Sequence, residues 1–129
     1  MAIEKIATSL APAAIGPYSQ AVQAGDFLFC SGQIPLVPET GEMVPGGIEE
    51  QIRQVMANLN QVLKAAGVDF GSVAKTTIYL VDLADFALVN DIYAGFFAGV
   101  APSRATVQVA ALPKGALVEI DAIAYCGEK

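Results

Sequence analysis

From Ile48 to Ala66 the apolar residues Ile48, Ile52, Val55, Met56, Leu59, Val62, Leu63 and Ala66 recur at spacings of three and four, a pattern that an α-helix gathers onto one buried face. Glu49 and Glu50 fall in its first turn and Lys64 in its last, which suits the helix dipole, and Gly67 is placed to close it. A second helix is predicted from about Asp85, a suitable N-cap, to Ala98, with Phe86, Val89, Tyr93 and Phe96 along its inner stripe. Glycine and proline cut the remainder into β-rich stretches at roughly 3–8, 18–23, 27–32, 74–82, 103–109 and 117–125. The order β-β-β-α-β-α-β-β predicts one α+β domain over residues 1–129, a six-stranded mixed sheet with two helices on one face. The opposite face is left for another copy of the chain.

Composition points the same way. Hydrophobic residues make up 54% and charged residues 16%, so the charged surface is thin and a homo-oligomer is expected. The net charge of -6, without a basic cluster able to neutralise a run of phosphates, makes nucleic acid an unfavoured partner. Met1-Ala2-Ile3-Glu4-Lys5 has neither the basic start nor the apolar core of a signal peptide, and no apolar run approaches the roughly 18 residues of a spanning helix, so a soluble, cytoplasmic protein is expected with no membrane partner. Cys30 and Cys126 are too few and too far apart for a disulfide framework or a zinc site and are read as buried, reduced thiols. Without histidine, chemistry falls to carboxylates, hydroxyls, Arg, Lys, backbone groups and water.

One of the two arginines, Arg104, lies in Pro102-Ser103-Arg104-Ala105-Thr106-Val107, a stretch otherwise suited to a buried strand. A guanidinium there requires an anionic partner, because burying an unpaired charge is very costly. If 103–109 and 117–125 pair antiparallel around the 110–116 loop with apolar faces matched, Arg104 and Glu119 share a side and Asp121 faces Arg104. Two readings stay open: a structural ion pair with Glu119 or Asp121, or a planar fork kept for a ligand carboxylate with Glu119 holding a water. Ser31 and Gly32 end a buried strand, where a hydroxyl and backbone groups could meet a ligand or simply leave the sheet. Tyr18, after Gly16-Pro17, could cap a pocket or pack half-buried, and Asn90 could be an exposed helix position or a ligand contact.

Ala11-Pro12-Ala13-Ala14-Ile15-Gly16-Pro17-Tyr18, Ser31-Gly32-Gln33-Ile34-Pro35, Lys75-Thr76-Thr77, Val89-Asn90 with Tyr93 and Phe96-Phe97, Pro102-Ser103-Arg104-Ala105, Leu112-Pro113-Lys114-Gly115 and Val118-Glu119-Ile120 together resemble the Rid/YjgF family of reactive-intermediate deaminases, close to its RidA subgroup. The resemblance implies a chorismate-mutase-like fold, a homotrimer with sheets packed inward, and a pocket at each subunit interface. It implies hydrolytic deamination of 2-iminobutanoate- and 2-iminopropanoate-like acids, formed from enamines released by pyridoxal-phosphate-dependent dehydratases, to 2-keto acids and ammonia. No cofactor or metal is expected. By motif position Arg104 would hold the substrate carboxylate and Glu119 the attacking water; Tyr18, Ser31 and Gly32 would line the pocket, and Asn90 would come from the neighbouring subunit. Thr106 stands where the subgroup often carries cysteine, so it would line the substrate site and no thiol is essential. The connection from Phe97 to Pro102 is shorter than the resemblance implies and lacks an aromatic just before the proline, so a different pocket rim and substrate range are expected. The competing classes are a non-catalytic trimer that binds small acids, a ribonuclease or translation inhibitor, and a holdase-type chaperone.

Overall fold

The computed structural model describes residues 2–127. Its elements are β1 (Glu4–Ile6), β2 (Ala21–Ala24), β3 (Phe27–Gln33), α1 (Ile48–Ala65), β4 (Val73–Leu80), α2 (Phe86–Ala94), β5 (Ser103–Gln108) and β6 (Val118–Tyr125). The strands form one mixed sheet in the order β1-β2-β3-β6-β4-β5. Every neighbouring pair is antiparallel except β4 with β5, which run parallel because α2 carries the chain back to the same end of the sheet.

Helix α1 forms where the spacing predicts it. Ile52, Val55, Met56, Leu59, Val62 and Leu63 are all fully buried, against Leu28, Ile78, Leu80, Val118, Ile120 and Ala124 of the sheet. At the start of α1 the Gly47 N–H donates to the Glu50 carboxylate over 2.8 Å, satisfying one of the donors that a helix N-terminus leaves over. That bond keeps the Glu50 carboxyl below its ordinary range. Two buried amides tie the helix to its surroundings. Asn58 donates to the carbonyls of Ile34 and Leu36 at 3.3 and 2.9 Å, and Gln51 accepts from the Leu117 N–H at 2.8 Å. The long 34–47 loop is thereby fastened to the core at its first residues, with a Leu36–Met43 bridge closing it on itself.

Among the described residues the sheet's other face carries no helix. Phe27, Phe29, Val107 and Tyr125 stand exposed there, each between 39% and 44%, with Phe27 and Tyr125 edge to face at 5.6 Å. Both thiols, Cys30 and Cys126, are buried and free. Among the described residues no helix is long and apolar enough to cross a membrane.

Four expectations are corrected. Helix α2 stops at Ala94 and does not reach Ala98: Gly95, Phe96 and Phe97 donate to the carbonyls three residues back. This tighter turn swings Phe96 and Phe97 onto Phe70, at 5.5 and 5.4 Å between ring centroids. Asp85 makes no capping bond; Asp82 instead caps the short turn before α2 by accepting from the Ala84 N–H. The largest correction concerns register. Strands β5 and β6 do not pair, because β4 lies between them, and Arg104 stands beside Thr76, which in turn stands beside Ala122. Strand periodicity then puts Arg104 on the helix-covered face and Glu119, opposite Tyr79, on the bare one. Arg104 is also exposed rather than interior, since β5 is an edge strand.

Candidate active site

The candidate residues fall into two groups. The first is built by β5 and α2. Phe86, Asn90 and Tyr93 lie four and three residues apart, on one helical face, and Arg104 reaches up to them from the sheet edge. Its Nη1 donates to Asn90 Oδ1 at 2.7 Å, and its guanidinium carbon lies 5.4 Å from the Phe86 ring centroid and 5.2 Å from that of Tyr93. Tyr93 is held in turn by Thr76, hydroxyl to hydroxyl at 2.7 Å; burial raises its phenol above the usual range against the opposing pulls of Thr76 and Arg104. Two ring faces and an amide orient the fork without neutralising it. The only ion pair among the described residues joins Arg53 to Glu49, so neither Glu119 nor Asp121 pairs with Arg104. In front of the fork opens a cavity of about 430 Å³, bounded by Asn90, Tyr93, Phe97, Pro102 and Arg104. A fixed, uncompensated fork beside a cavity is suited to a carboxylate.

The second group surrounds Glu119 on the bare face. A shift in the β3–β6 ladder between Cys30 and Gln33 leaves Ser31 and Gly32 out of register with β6. Ser31 is steadied by donating from Oγ to the Ser19 carbonyl at 2.6 Å and from its N–H to the Gln20 carbonyl at 3.0 Å. Gly32 has a steric reason to be glycine: a β-carbon there would overlap the Glu119 carboxylate. Tyr18 follows Gly16, which adopts φ +124°, and its N–H closes a tight turn onto the Gly16 carbonyl at 2.9 Å. These residues share a cavity of about 850 Å³ with Ile34 and Lys114. Burial first, and the Asp121 charge second, raise the Glu119 carboxyl above the ordinary glutamate range, which makes its ionised form a stronger base.

Tyr18, Ser31, Gly32 and Glu119 are therefore brought together as expected, and Asn90 and Arg104 form a separate set. Asn90 belongs to the same protomer as the Arg104 it orients. Thr106 faces the same side as Arg104, but its hydroxyl is buried and unpartnered, outside the lining of both cavities. Phe86 and Tyr93 pack against the core as their stripe predicts, and they serve in addition as the platform for the arginine, a role that only their spacing with Asn90 signals in the sequence. Sequence reasoning passed over Lys114, whose φ of 58° places a non-glycine residue in the left-handed region at the rim of the larger cavity. The turn signal Pro113-Lys114-Gly115 was legible, its role in the cavity wall was not.

Residues 8–126 match the model of a family described as Endoribonuclease L-PSP. A mouse protein named 2-iminobutanoate/2-iminopropanoate deaminase is 55% identical over 122 residues, spanning 95% of this chain and 90% of the relative. Among solved structures, a Yersinia pestis protein of the conserved Rid family aligns with a TM-score of 0.94 at 50% identity, covering 96% of this chain and 99% of that one. The E. coli TdcF structure with bound serine aligns with a TM-score of 0.90 at 44% identity, covering 95% and 98%.

Proposed function

Because the chain belongs to the Rid/YjgF family, the one whose model is described as Endoribonuclease L-PSP, we propose that it hydrolyses 2-imino acids to 2-keto acids and ammonia at a site completed between copies of itself. The observation that carries this reading is the split of the site. A carboxylate-gripping fork and a basic carboxylate in a cavity, the two parts that the reaction needs, lie on opposite faces of one sheet with β4 between them. Packing the bare faces of several copies together would cover Phe27, Phe29, Val107 and Tyr125 and could bring the Arg104 set of one copy against the Glu119 set of the next. A homotrimer with sheets inward is the assembly this reading adopts.

The chemistry asks little beyond positioning. Arg104, steadied by Asn90, Phe86 and Tyr93, grips the substrate carboxylate through two parallel hydrogen bonds and presents C2 to the second cavity. With the imine protonated, Glu119 takes a proton from water as the water oxygen bonds to C2 and the C=N π electrons move to nitrogen, giving a neutral carbinolamine. That proton then passes from Glu119 to the amino nitrogen; the C–N bond breaks, ammonia leaves and the hydroxyl oxygen forms the keto group as its proton goes to Glu119, which hands it to the departing ammonia as ammonium. Ser31 and the Gly32 backbone face this cavity and can orient the imine and the water, with Tyr18 over the opening. Serine, the ligand named for the E. coli structure, likewise presents one carboxylate on a small carbon frame. On this reading the protein works in the cytoplasm, beside the dehydratases that release enamines. The ribonuclease implied by the family description is disfavoured by a net charge of -6 and a chain without histidine.

The test couples a purified threonine dehydratase to this protein and follows 2-ketobutyrate release against the uncatalysed decay of the imine. Acceleration by the wild type, cut on the order of tenfold to a hundredfold in Arg104→Ala, is the expected result, since a charge-assisted contact is worth about 1.5–3 kcal/mol. Saturable binding of small acids without acceleration would make the protein a binder instead.

A further inference from the structure

We propose that Asp121 and Tyr79 form a positioning pair for Glu119: the tyrosine hydroxyl pins the aspartate carboxylate on the bare face, two residues along the strand from Glu119, so that a fixed negative charge accompanies the water-activating carboxylate. The inference rests on the reading of Glu119 as the group that activates water. Glu119 and Asp121 are two residues apart on β6 and so share a face, with Tyr79 of β4 directly opposite Glu119 in the antiparallel ladder. From there the Tyr79 hydroxyl donates diagonally to Asp121 Oδ2 at 2.9 Å. Without it the Asp121 side chain would be free to turn toward water, where its charge would act on Glu119 much more weakly.

The ionisable groups around Glu119 can be taken element by element. Its own strand supplies Asp121, and β4 supplies Tyr79. The β3 side supplies Ser31 and Gly32, which carry no charge. The loops across the cavity supply Lys114 and Glu39. Arg104 of the same copy, on β5, is on the other side of the sheet, while Arg104 of the next copy, brought here by the proposed assembly, opposes Asp121 until the substrate carboxylate neutralises it. Among these, Asp121 is the charge that acts on Glu119, in the same direction as burial, while the Tyr79 phenol is itself raised, chiefly by its bond to Asp121. The phenol therefore stays protonated and able to donate throughout the neutral range. Covering the bare face with another copy would strengthen the coupling by removing water from between the carboxylates.

The pair predicts the sign of a pH effect. Ionised Glu119 is the active form, so catalytic efficiency falls on the acid side as Glu119 takes up a proton. Removing the Asp121 charge makes that proton easier to lose, and the acid limb must move to lower pH.

The test measures kcat/KM against pH, with imine generated in situ by an amino-acid oxidase, for wild type, Asp121→Asn, Tyr79→Phe and Glu119→Gln, each checked for its oligomeric state by light scattering. In Asp121→Asn the fraction of plateau activity retained at a pH on the wild-type acid limb should rise about two- to threefold, while the plateau kcat falls with KM little changed. Tyr79→Phe should move the limb the same way by less, and it carries the measurement if Asp121→Asn does not fold. An unmoved acid limb in both variants, with Glu119→Gln inactive, would overturn the pair while leaving Glu119 in place. Full activity of Glu119→Gln would overturn the reading beneath it.

Discussion

Arg104 has no ionic partner among the described residues, yet it is held in place: one amide bond and two ring faces fix its guanidinium beside an open cavity. Arg104→Lys should therefore lose nearly as much catalytic efficiency as Arg104→Ala, because an ammonium can neither stack on the rings nor bind a carboxylate with two parallel bonds. Steady-state kinetics on both variants check this. Gly32→Ala should leave the fold standing but lower kcat/KM about tenfold or more, since the added methyl displaces the flexible Glu119 carboxylate that the reaction depends on; retained thermal stability alongside the kinetic loss is the expected pair of readings. The Cys30 thiol, pushed up to about 12 by burial with help from Cys126 and Asp121, should resist iodoacetamide at neutral pH until the protein is unfolded. Cysteine alkylation followed by mass spectrometry reads this out. Most individual candidates were legible in the sequence: a cation in an apolar strand, a glutamate on the next, a glycine after a serine. Their grouping was not, because whether two strands are neighbours is decided by what lies between them.

At the scale of elements the contrast is between local and non-local information. Helix α1 was readable nearly to its ends because its periodicity, acidic first turn and closing glycine all act within a few residues of one another. Strand β5 was readable as a strand and misread in its partner. The short 110–116 connection suggests a hairpin, yet β4 is interposed by the crossover through α2, and the pairing that results is parallel. A single intervening strand sends Arg104 and Glu119 to different faces. The early end of α2 likewise goes with a distant contact, the tilted and edge-to-face packing of Phe96 and Phe97 against Phe70. The 34–47 loop walls the larger cavity and depends on the buried Asn58 amide, which is 1% exposed. Asn58→Ala should cost about 1–3 kcal/mol by leaving the Leu36 carbonyl unsatisfied and taking one of two donors from that of Ile34, a loss that denaturant unfolding would measure. Glu50 offers a test with pH. Its carboxyl is held below the ordinary value by the Gly47 N–H, so its contribution is present above the ordinary glutamate range and fades as pH falls through the lowered one. Glu50→Gln should accordingly lower the melting temperature at neutral pH and cease to differ from wild type in strong acid.

For the whole molecule, the apolar excess of the composition is explained by a sheet that buries one face under helices and leaves aromatic side chains standing on the other. If copies pack through that bare face as proposed, Phe29→Glu should turn the assembly into monomers, by placing a charge in a desolvated interface, and should abolish turnover although Phe29 lines neither cavity. Light scattering and the coupled assay on the same sample connect the two losses. The division of the site between faces leads to the most direct test of the account. Arg104→Ala and Glu119→Gln, each nearly inactive alone, are unfolded together, refolded as a mixture and assayed. If each site takes its arginine from one copy and its glutamate from the next, random mixing should restore roughly a quarter of wild-type activity, since about that share of interfaces pairs two intact residues. A mixture as inactive as its components, with mixed oligomers shown to have formed, would mean that Arg104 and Glu119 do not meet across an interface, and the account would be wrong.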